Sequence, residues 1–280
     1  MQALQAAAGT LAASNYDFPN LVNSTLTVGK AHLTLTAGPK SKLYGDAVPA
    51  LTATLSGFVL GENAATAGVT STANLSTTAT TTSPVGFYGI TVSAGTLAAS
   101  NYDFPNLVNG TITVGRAHLT LTADPKSKLY GDAVPGPTYS IMGFVLGETA
   151  ATAGVTGTAS LSSSATAASP VGSYSISVAP GTLAAANYDF PTLVNGTLII
   201  SPAHLTIIAD AKSKLYGDAV PALTATVSGF VLGENAATAG VTGTAGLSTT
   251  TTASSPVGSY PITAAAGTLA ASNPTRRMPV

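Results

Sequence analysis

Apolar and polar residues alternate along several short stretches of this chain. In the stretch 33–36 leucines alternate with threonines, and a similar alternation recurs at 51–56, 88–93 and 111–114. A period of two residues is typical of a β-strand that buries one face and exposes the other to water. Threonine suits the exposed face because it is polar, uncharged and β-branched. The chain is therefore predicted to be built from strands.

Clusters of glycine, proline, serine and asparagine separate these stretches and predict turns. Asn109-Gly110 is typical of a type I′ hairpin joining the strands on either side of it. Tyr44-Gly45-Asp46 and the segment 83–86 are further turn clusters. The segment Gly61–Gly68 could hold one or two helical turns, ended by its last glycine.

The chain repeats itself every 86 residues. The run KSKLYGDAVP begins at Lys40, Lys126 and Lys212, and no insertion or deletion separates the copies. Such a period predicts tandem repeats that are each long enough to own a core, rather than the turns of a solenoid. The predicted units are the C-terminal part of a preceding repeat at 1–30, two full repeats at 31–116 and 117–202, and a repeat truncated at its C-terminal hairpin at 203–280.

Each repeat is predicted to fold as an all-β, immunoglobulin-like sandwich, and the repeats to follow one another in an elongated array. About six strands separated by turns fit this architecture; a β-grasp-like module is the alternative. The residues predicted to form the core of the first repeat are Leu33, Leu35, Tyr44, Leu51, Leu55, Phe58, Val69, Tyr88, Ile90, Val92, Tyr102, Phe104, Ile112 and Val114.

Composition excludes several functional classes. The 280 residues include 10 Lys and Arg against 11 Asp and Glu, and charged residues make up 8%. Nucleic-acid binding needs clustered basic residues and is not expected. Without cysteine the chain has no disulfide, thiolate metal site or thiol catalysis. No apolar run is long enough for a membrane span, and the first residues lack the basic region of a signal peptide.

Five motifs recur in the same order, and together they resemble a known family. In the first full repeat they are Lys40–Pro49, Ser56–Glu62, Ser83–Ile90, Asn101–Phe104 and Val108–Val114. This order resembles the MBG repeats of the YGX type. Those repeats occur in tandem in large bacterial surface and secreted proteins, many of them adhesins or filamentous-haemagglutinin-like exoproteins. The resemblance implies an extracellular, surface-exposed repeat region and implies no catalytic residues.

The histidines are the first candidates for chemistry. His32, His118 and His204 each open a predicted strand, one in each repeat. A metal or catalytic role needs a second group, and Asp46 or Asp103 could approach in space. We expect a structural or surface role instead. No catalytic, cofactor-binding or metal-binding residue is predicted, and no cofactor is expected.

Lysines and tyrosines recur with the motifs and have two interpretations each. Lys40 and Lys42 could contact anionic glycans, but charges at alternate positions of an exposed strand also prevent edge-to-edge pairing. Tyr44, Tyr88 and Tyr102 could stack on sugar rings, or could be core residues with their hydroxyl groups at the rim. In both cases the second interpretation is favoured.

The sequence favours a structural function. The chain is interpreted as a non-catalytic stalk or spacer in a large bacterial cell-surface or secreted adhesin, with neighbouring repeats of a longer parent protein as its partners. The alternative is a module that binds a host glycan or surface protein in host or cell–cell adhesion. A site private to one repeat is then expected in the second, which differs from its neighbours at Gly136–Met142.

The N-terminal segment repeats the sequence that the third repeat does not carry. Ala6–Asn15 recurs letter for letter at Ala264–Asn273, but the following YDFPNLVN of residues 16–23 is replaced by PTRRMPV. Two outcomes follow from this comparison. Either the N-terminal segment completes the last repeat of another chain by strand addition, or both ends fray.

Overall fold

The computed structural model describes residues 2–4, 6–7 and 9–271. In this part of the chain the secondary structure consists of strands and turns, without an α-helix. Accordingly, none of these residues belongs to a helix with the length and apolarity needed to cross a bilayer. The all-β prediction is confirmed.

The first repeat folds as two sheets. Before it, β1 (Gln2–Leu4) pairs antiparallel with β2 (Ser24–Leu26). Within it, the sheets have the strand orders β5-β3-β8 and β4-β9-β7-β6. The seven strands are β3 (Ala31–Ala37), β4 (Lys40–Leu43), β5 (Ala53–Ser56), β6 (Asn74–Thr77), β7 (Gly86–Ser93), β8 (Tyr102–Val108) and β9 (Gly110–Gly115).

Each sheet of the first repeat contains one parallel pair. Strand β3 runs parallel to β8, and β4 runs parallel to β9, with Lys40 opposite Ile112. Strand β9 also pairs antiparallel with β7, which places Tyr88 opposite the same isoleucine. Strand β9 is therefore an inner strand with a neighbour on each side.

The second repeat has the same arrangement. Its sheets have the strand orders β12-β10-β15 and β11-β16-β14-β13. The strands are β10 (Ala117–Ala123), β11 (Lys126–Leu129), β12 (Tyr139–Met142), β13 (Ser160–Ser162), β14 (Gly172–Ala179), β15 (Tyr188–Val194) and β16 (Gly196–Ser201).

The two sheets of the second repeat pack face to face. Leu121 of β10 belongs to the same buried cluster as Ile176 of β14 and Leu198 of β16. These residues come from opposite sheets, so the core lies between the sheets. This is the layered arrangement of a sandwich.

In the third repeat the described residues form three two-stranded sheets, β17-β18, β19-β22 and β20-β21. The strands are β17 (Thr206–Ala209), β18 (Ala225–Ser228), β19 (Val241–Thr242), β20 (Gly246–Thr249), β21 (Ile262–Ala265) and β22 (Ala270–Ala271).

The chain divides into two compact units. They are residues 1–117 with 145–148 and 186–188, and residues 118–144 with 149–185 and 189–280. The first unit thus contains the whole first repeat together with Ala117 and two short segments of the second repeat.

The predicted core is largely the observed one. Eight of the fourteen residues are buried, and the other six are half-buried. The buried ones are Leu33, Leu35, Tyr44, Ile90, Val92, Tyr102, Ile112 and Val114. The alternation of side chains along strands was sufficient to find them.

The hairpin predicted at Asn109-Gly110 is wrong, because β8 and β9 lie in different sheets. The Asn109 side chain instead accepts a hydrogen bond from the backbone N–H of Val92, at 3.1 Å. A Cβ on Gly110 would lie 2.7 Å from the carbonyl oxygen of Ala37. Glycine is therefore required here by a close backbone approach rather than by a positive φ.

The helical turn predicted within Gly61–Gly68 is present as one turn. Ala67 donates its N–H to the Asn63 carbonyl at 2.8 Å, and Val69 donates to Ala64 at 2.9 Å. Gly68 ends the turn with φ +63°. This is the left-handed conformation with which glycine commonly ends a helical segment.

Candidate functional site: the junction between successive repeats

The Tyr-Gly-Asp motif forms a tight turn after β4. Asp46 donates its N–H to the carbonyl of Leu43 at 3.2 Å, and its side chain accepts the Leu43 N–H at 3.1 Å. Gly45 is the third residue of the turn and has φ +86°. A type II turn requires a positive φ at this position, which favours glycine. The motif therefore places Tyr44 and Gly45 at the tip of the turn.

A buried lysine stabilises the turn by donating hydrogen bonds to its carbonyl groups. Lys42 is 7% exposed, and its ammonium donates to the carbonyls of Leu43 at 3.2 Å and Asp46 at 3.1 Å. Its counterpart Lys128 makes the same two bonds and a third to Ala167 at 3.2 Å. The expectation that both lysines of the first repeat are exposed on a strand edge is therefore wrong for Lys42. A buried ammonium needs such acceptors to offset its desolvation.

The first compact unit includes the loop Val145–Glu148 of the second repeat, and this loop lies against the turn. A Cβ built on Gly45 would lie 2.4 Å from Cγ2 of Val145. Heavy atoms cannot approach so closely, so the valine occupies space that only glycine leaves open. The glycine thus has two roles, since its positive φ forms the turn and its missing side chain admits the next repeat.

One carboxylate joins two tyrosines at this junction. Tyr44 donates its hydroxyl to Oε1 of Glu148 at 3.0 Å, and Tyr188 donates to Oε2 of the same side chain. The two rings meet edge to face, with centroids 5.5 Å apart. An ionised carboxylate only accepts hydrogen bonds and has room for several donors. Glu148 therefore links the turn of the first repeat to a buried tyrosine of the second.

The same contacts raise the pKa values of both tyrosines. Burial is the main cause for each, and the hydrogen bond to Glu148 adds to it. The pKa of Tyr188 rises from 10.0 to about 12. Both effects disfavour the phenolate, because a negative charge would be buried beside another one.

The second compact unit contains a second junction of the same kind. Tyr130 donates its hydroxyl to Oε1 of Glu234 at 2.8 Å, and this bond is the main cause of its raised pKa. A Cβ on Gly131 would lie 2.5 Å from Cγ2 of Val231. All four residues stand 86 positions after those of the first junction. The contact is therefore a property of the repeat.

Within the first repeat, Tyr102 contacts the loop that carries Glu62, the equivalent of Glu148. Tyr102 is 1% exposed and donates to Oε2 of Glu62 at 2.5 Å. Its hydroxyl also accepts the N–H of Val59 at 3.2 Å, and its ring meets Phe58 edge to face at 5.5 Å. The hydrogen bond to Glu62 is the main cause that raises the pKa of Tyr102. This tyrosine positions the loop from inside its own repeat.

Two of the three histidines, His32 and His118, pair with aspartates on the adjacent strand. Nδ1 of His32 lies 2.5 Å from Oδ1 of Asp103, and His118 lies 2.6 Å from Asp189. The His32 side chain is 64% exposed, and strands β3 and β8 bring the first pair together in parallel register. Among the residues that the structure describes, no three His, Asp or Glu side chains are grouped so that they could hold a metal ion.

Tyr88, the remaining tyrosine candidate, closes a turn. It is half-buried and donates its hydroxyl to the carbonyl of Pro84 at 2.9 Å. The segment singled out in the second repeat contributes strand β12 (Tyr139–Met142), which pairs with β10. Both features have structural roles in the sheets that contain them.

Sequence reasoning found the two motifs of the junction but did not connect them. The sequence predicts Tyr44 as a core residue and places Glu62 at the end of the recurring motif Ser56–Glu62. The available signal was the position of the glutamate, which directly follows the apolar run Phe-Val-Leu-Gly in all three repeats. A carboxylate directly after such a run needs a partner once the run is partly buried.

Comparison with known proteins identifies the repeat. No curated protein and no solved structure matches the chain. The sequence model of the MBG domain (YGX type) matches at residues 33–113, 119–199 and 205–273. Each matched segment contains a Tyr-Gly turn. The turns of the first and second repeats form junctions with the repeats that follow them. The chain therefore belongs to the MBG domain (YGX type) family and contains three of its repeats in tandem.

Proposed function

We propose that this chain is a non-catalytic stalk or spacer within a larger bacterial surface or secreted protein. The observation that carries the proposal is the junction, which is built twice from the same residues. Tyr44 with Glu148 and Tyr130 with Glu234 make the same hydrogen bond. A repeat that offers a turn at one place and a matching loop at another can be added in series without a new interface.

The junction supplies resistance to bending and pulling. Separating a turn from its loop breaks a hydrogen bond to a charged acceptor, which contributes about 1.5–3 kcal/mol. It also uncovers the valine that lies against the glycine. In addition, β9 ends at Gly115 and β10 begins at Ala117, so a single residue connects the last strand of the first repeat to the first strand of the second. Short connections with a specific contact favour a stiff element over a flexible linker.

The roles of the charged residues support a non-catalytic function. Glu148 accepts from two tyrosines, Lys42 donates to turn carbonyls, and Asp46 accepts the N–H of Leu43. Each group is used to hold backbone or a neighbouring repeat. A catalytic acid or base would instead need to face a substrate within hydrogen-bond reach.

An extracellular location agrees with the composition. With 8% charged residues and abundant threonine, the exposed faces of the strands carry uncharged hydroxyl groups more often than charges. The absence of cysteine makes the fold independent of the redox state of its surroundings. Both properties suit a long repeat region outside the cell.

Single-molecule pulling of the 280-residue chain tests the proposal. We expect the two complete repeats to unfold in separate steps, each releasing somewhat less than about 300 Å of contour length for 86 residues. Glu148→Ala should lower the force of a step without changing the length released. Extension without discrete steps would contradict a load-bearing spacer. A parallel glycan and host-protein array separates the binding alternative, because tight, specific capture by the chain would favour an adhesive module.

A further inference from the structure

Two tyrosines from successive repeats lie in contact at the first junction. Tyr44 is 6% exposed and Tyr188 is 1% exposed. Their ring centroids are 5.5 Å apart, and the angle between the ring planes is 79°. In this edge-to-face arrangement the edge of one ring is in van der Waals contact with the face of the other. The junction thus brings two phenol rings of different repeats together, away from water.

One carboxylate holds both hydroxyl groups of the pair. Tyr44 donates to Oε1 of Glu148 at 3.0 Å, and Tyr188 donates to Oε2. In each ring the Cε carbons stand next to the carbon that carries the hydroxyl. Because both hydroxyls bond to one side chain, this shared acceptor keeps the Cε carbons of the two rings near one another.

The side chain of Asn187 fixes the orientation of Tyr44. Its Oδ1 accepts the N–H of Val85 at 3.1 Å, and its backbone carbonyl accepts the N–H of Ala117 at 3.0 Å. The same side chain hydrogen-bonds to the Tyr44 hydroxyl, which opposes the rise in the pKa of Tyr44 that burial and Glu148 cause. Asn187 therefore connects Tyr44 to backbone on both sides of the junction, and the pair has little freedom to separate.

The composition directs one-electron oxidation to tyrosine. The chain has no cysteine and no tryptophan, which are the other two side chains that lose an electron readily. Its three methionines are oxidised to the sulfoxide by transfer of an oxygen atom, which is a different reaction. A one-electron oxidant therefore produces tyrosyl radicals in this chain.

Glu148 makes the buried pair easier to oxidise than burial alone would allow. A phenol that loses an electron becomes strongly acidic and must release its hydroxyl proton. The carboxylate oxygens lie within hydrogen-bond reach of both hydroxyls, which is the geometry that a proton acceptor needs. Glu148 is half-buried, so the accepted proton has a route to solvent.

We propose that Tyr44 and Tyr188 form an oxidative crosslinking site, at which a one-electron oxidant joins successive repeats through a dityrosine bond. Each ring loses one electron to the oxidant and its hydroxyl proton to Glu148. The two phenoxyl radicals then combine by forming a bond between their Cε carbons. The hydrogen of each bonded carbon moves to the phenol oxygen and restores the hydroxyl. The net loss is two electrons and two protons, which hydrogen peroxide takes up as its O–O bond breaks to give two molecules of water.

The crosslink closes a loop between positions 44 and 188. Crosslinking positions so far apart in sequence lowers the conformational entropy of the unfolded chain, and the effect grows with the length of the loop. It also transfers a pulling force directly from the turn of the first repeat to strand β15 of the second, which begins at Tyr188. The proposal concerns the reactivity of this pair and does not rest on the spacer function.

Photo-oxidation of the dilute full chain tests the proposal, with a ruthenium tris-bipyridyl complex as the one-electron oxidant and persulfate as the terminal electron acceptor. Peptide mapping of the monomeric product should find Tyr44 linked to Tyr188, with the fluorescence of dityrosine and a mass two hydrogen atoms below the sum of the separate peptides. In urea this pair should lose its preference over other tyrosine pairs. Tyr44→Phe keeps the ring but should abolish the link. Tyr88→Phe is the matched control and should leave the yield unchanged, because that hydroxyl bonds to a carbonyl within its own turn.

The role of the carboxylate is tested by the rate at which the link forms. Glu148→Gln should slow the link by about a hundredfold or more, since a positioned proton acceptor commonly contributes that much. Glu62→Gln removes the equivalent carboxylate within the first repeat and should leave the rate unchanged. The Val85 amide, which donates to Asn187, should stay protected from hydrogen exchange in both variants. A rate lost together with Val85 protection would assign Glu148 a purely structural role and overturn its part as the proton acceptor.

Pulling the oxidised monomer gives an independent measurement. The link should hide roughly 500 Å of contour length, because the residues between positions 44 and 188 no longer extend. The proposal is overturned if the exposed Tyr16 and Tyr216 are oxidised while no link between Tyr44 and Tyr188 forms. Unfolding steps of full length in the oxidised monomer, or equal rates for Glu148→Gln and the parent chain, overturn it as well.

Discussion

Alanine in place of each turn glycine measures the junction within one chain. Gly45, Gly131 and Gly217 have φ of +86°, +91° and +89°. The backbone strain introduced by alanine is therefore the same at all three positions, about 1–2 kcal/mol. They differ in their surroundings, because Val145 and Val231 lie against the first two, while nothing lies within 4 Å of a Cβ on the third.

The expected difference follows from those contacts. At Gly45 the added Cβ would lie 2.4 Å from the valine, and at Gly131 it would lie 2.5 Å away, so the valine must withdraw. Overpacking of this kind costs about 1–3 kcal/mol, and losing the tyrosine–glutamate bond costs about 1.5–3 kcal/mol. We expect Gly45→Ala and Gly131→Ala each to destabilise their turn by roughly 2.5–6 kcal/mol more than Gly217→Ala.

Native-state hydrogen exchange read by mass spectrometry is the suitable assay. The flanking residues distinguish the peptides of the three repeats, so each turn is its own reporter. The Asp46 and Asp132 amides donate to the carbonyls of Leu43 and Leu129 at 3.2 Å, and the Asp218 amide makes the equivalent bond to Leu215 at 3.2 Å. The first two amides should lose more protection in their variants than the Asp218 amide loses in Gly217→Ala. If Gly217→Ala lowers protection as much as the other two changes, the glycine serves only its own turn and the reasoning is refuted.

Three further predictions concern the groups around the junction. Glu148→Ala should destabilise the chain in urea about twice as much as Glu62→Ala, because it deprives two tyrosines of their acceptor rather than one. Lys128→Met should cost about 1–3 kcal/mol in the same assay by leaving three carbonyls without their donor, and Lys214→Met, at a half-buried site with two longer bonds, should cost less. The stability that Tyr188 contributes should be complete below pH 10 and lost as the pH rises toward its raised pKa of about 12, which spectrophotometric titration of tyrosinate against the unfolding midpoint can follow.

Each of these predictions has an outcome that would contradict it. Equal costs for the two glutamate variants would mean that the second tyrosine gains nothing from its bond. A Lys214→Met variant as damaging as Lys128→Met would show that burial of the ammonium is irrelevant. Tyr188 ionising near pH 10 in the folded chain would exclude the buried, carboxylate-bonded environment.

The sequence predicted the strands and the core well because both depend on local alternation. The apolar positions of β3 and β9 are buried as expected, since side chains of a strand point alternately to its two faces. Asn109-Gly110 does separate two strands, β8 and β9, but these strands lie in different sheets and form no hairpin. A turn signal specifies a reversal or crossing of the backbone, and it does not specify which strand the next segment will pair with.

The junction could not be predicted because it joins residues that are far apart in sequence. Tyr44 and Glu148 are separated by 104 positions. A buried tyrosine in a strand-rich repeat is equally compatible with an ordinary core position. Only the tertiary structure brings the Glu148 carboxylate to Tyr44. It also shows that Val145 occupies the space that a side chain at Gly45 would need.

The three copies of KSKLYGD separate local from tertiary causes most directly. Their sequence is identical at 40–46, 126–132 and 212–218, so any intrinsic preference of these residues is the same in each. The lysine–serine run is strand β4 in the first copy and strand β11 in the second, but no strand in the third. Strand β9 or β16 supplies main-chain hydrogen bonds to the first two, and the described residues supply no such partner to the third.

The sequence by itself determined the repeat, the alternation of buried and exposed positions, and the turn that glycine permits. The tertiary structure decided whether a given copy becomes a strand and whether its tyrosine is buried. The physical reason is that main-chain donors and acceptors of a strand require a neighbouring chain segment. Alternation can specify which face of a strand is apolar, but the pairing partner comes from elsewhere in the fold.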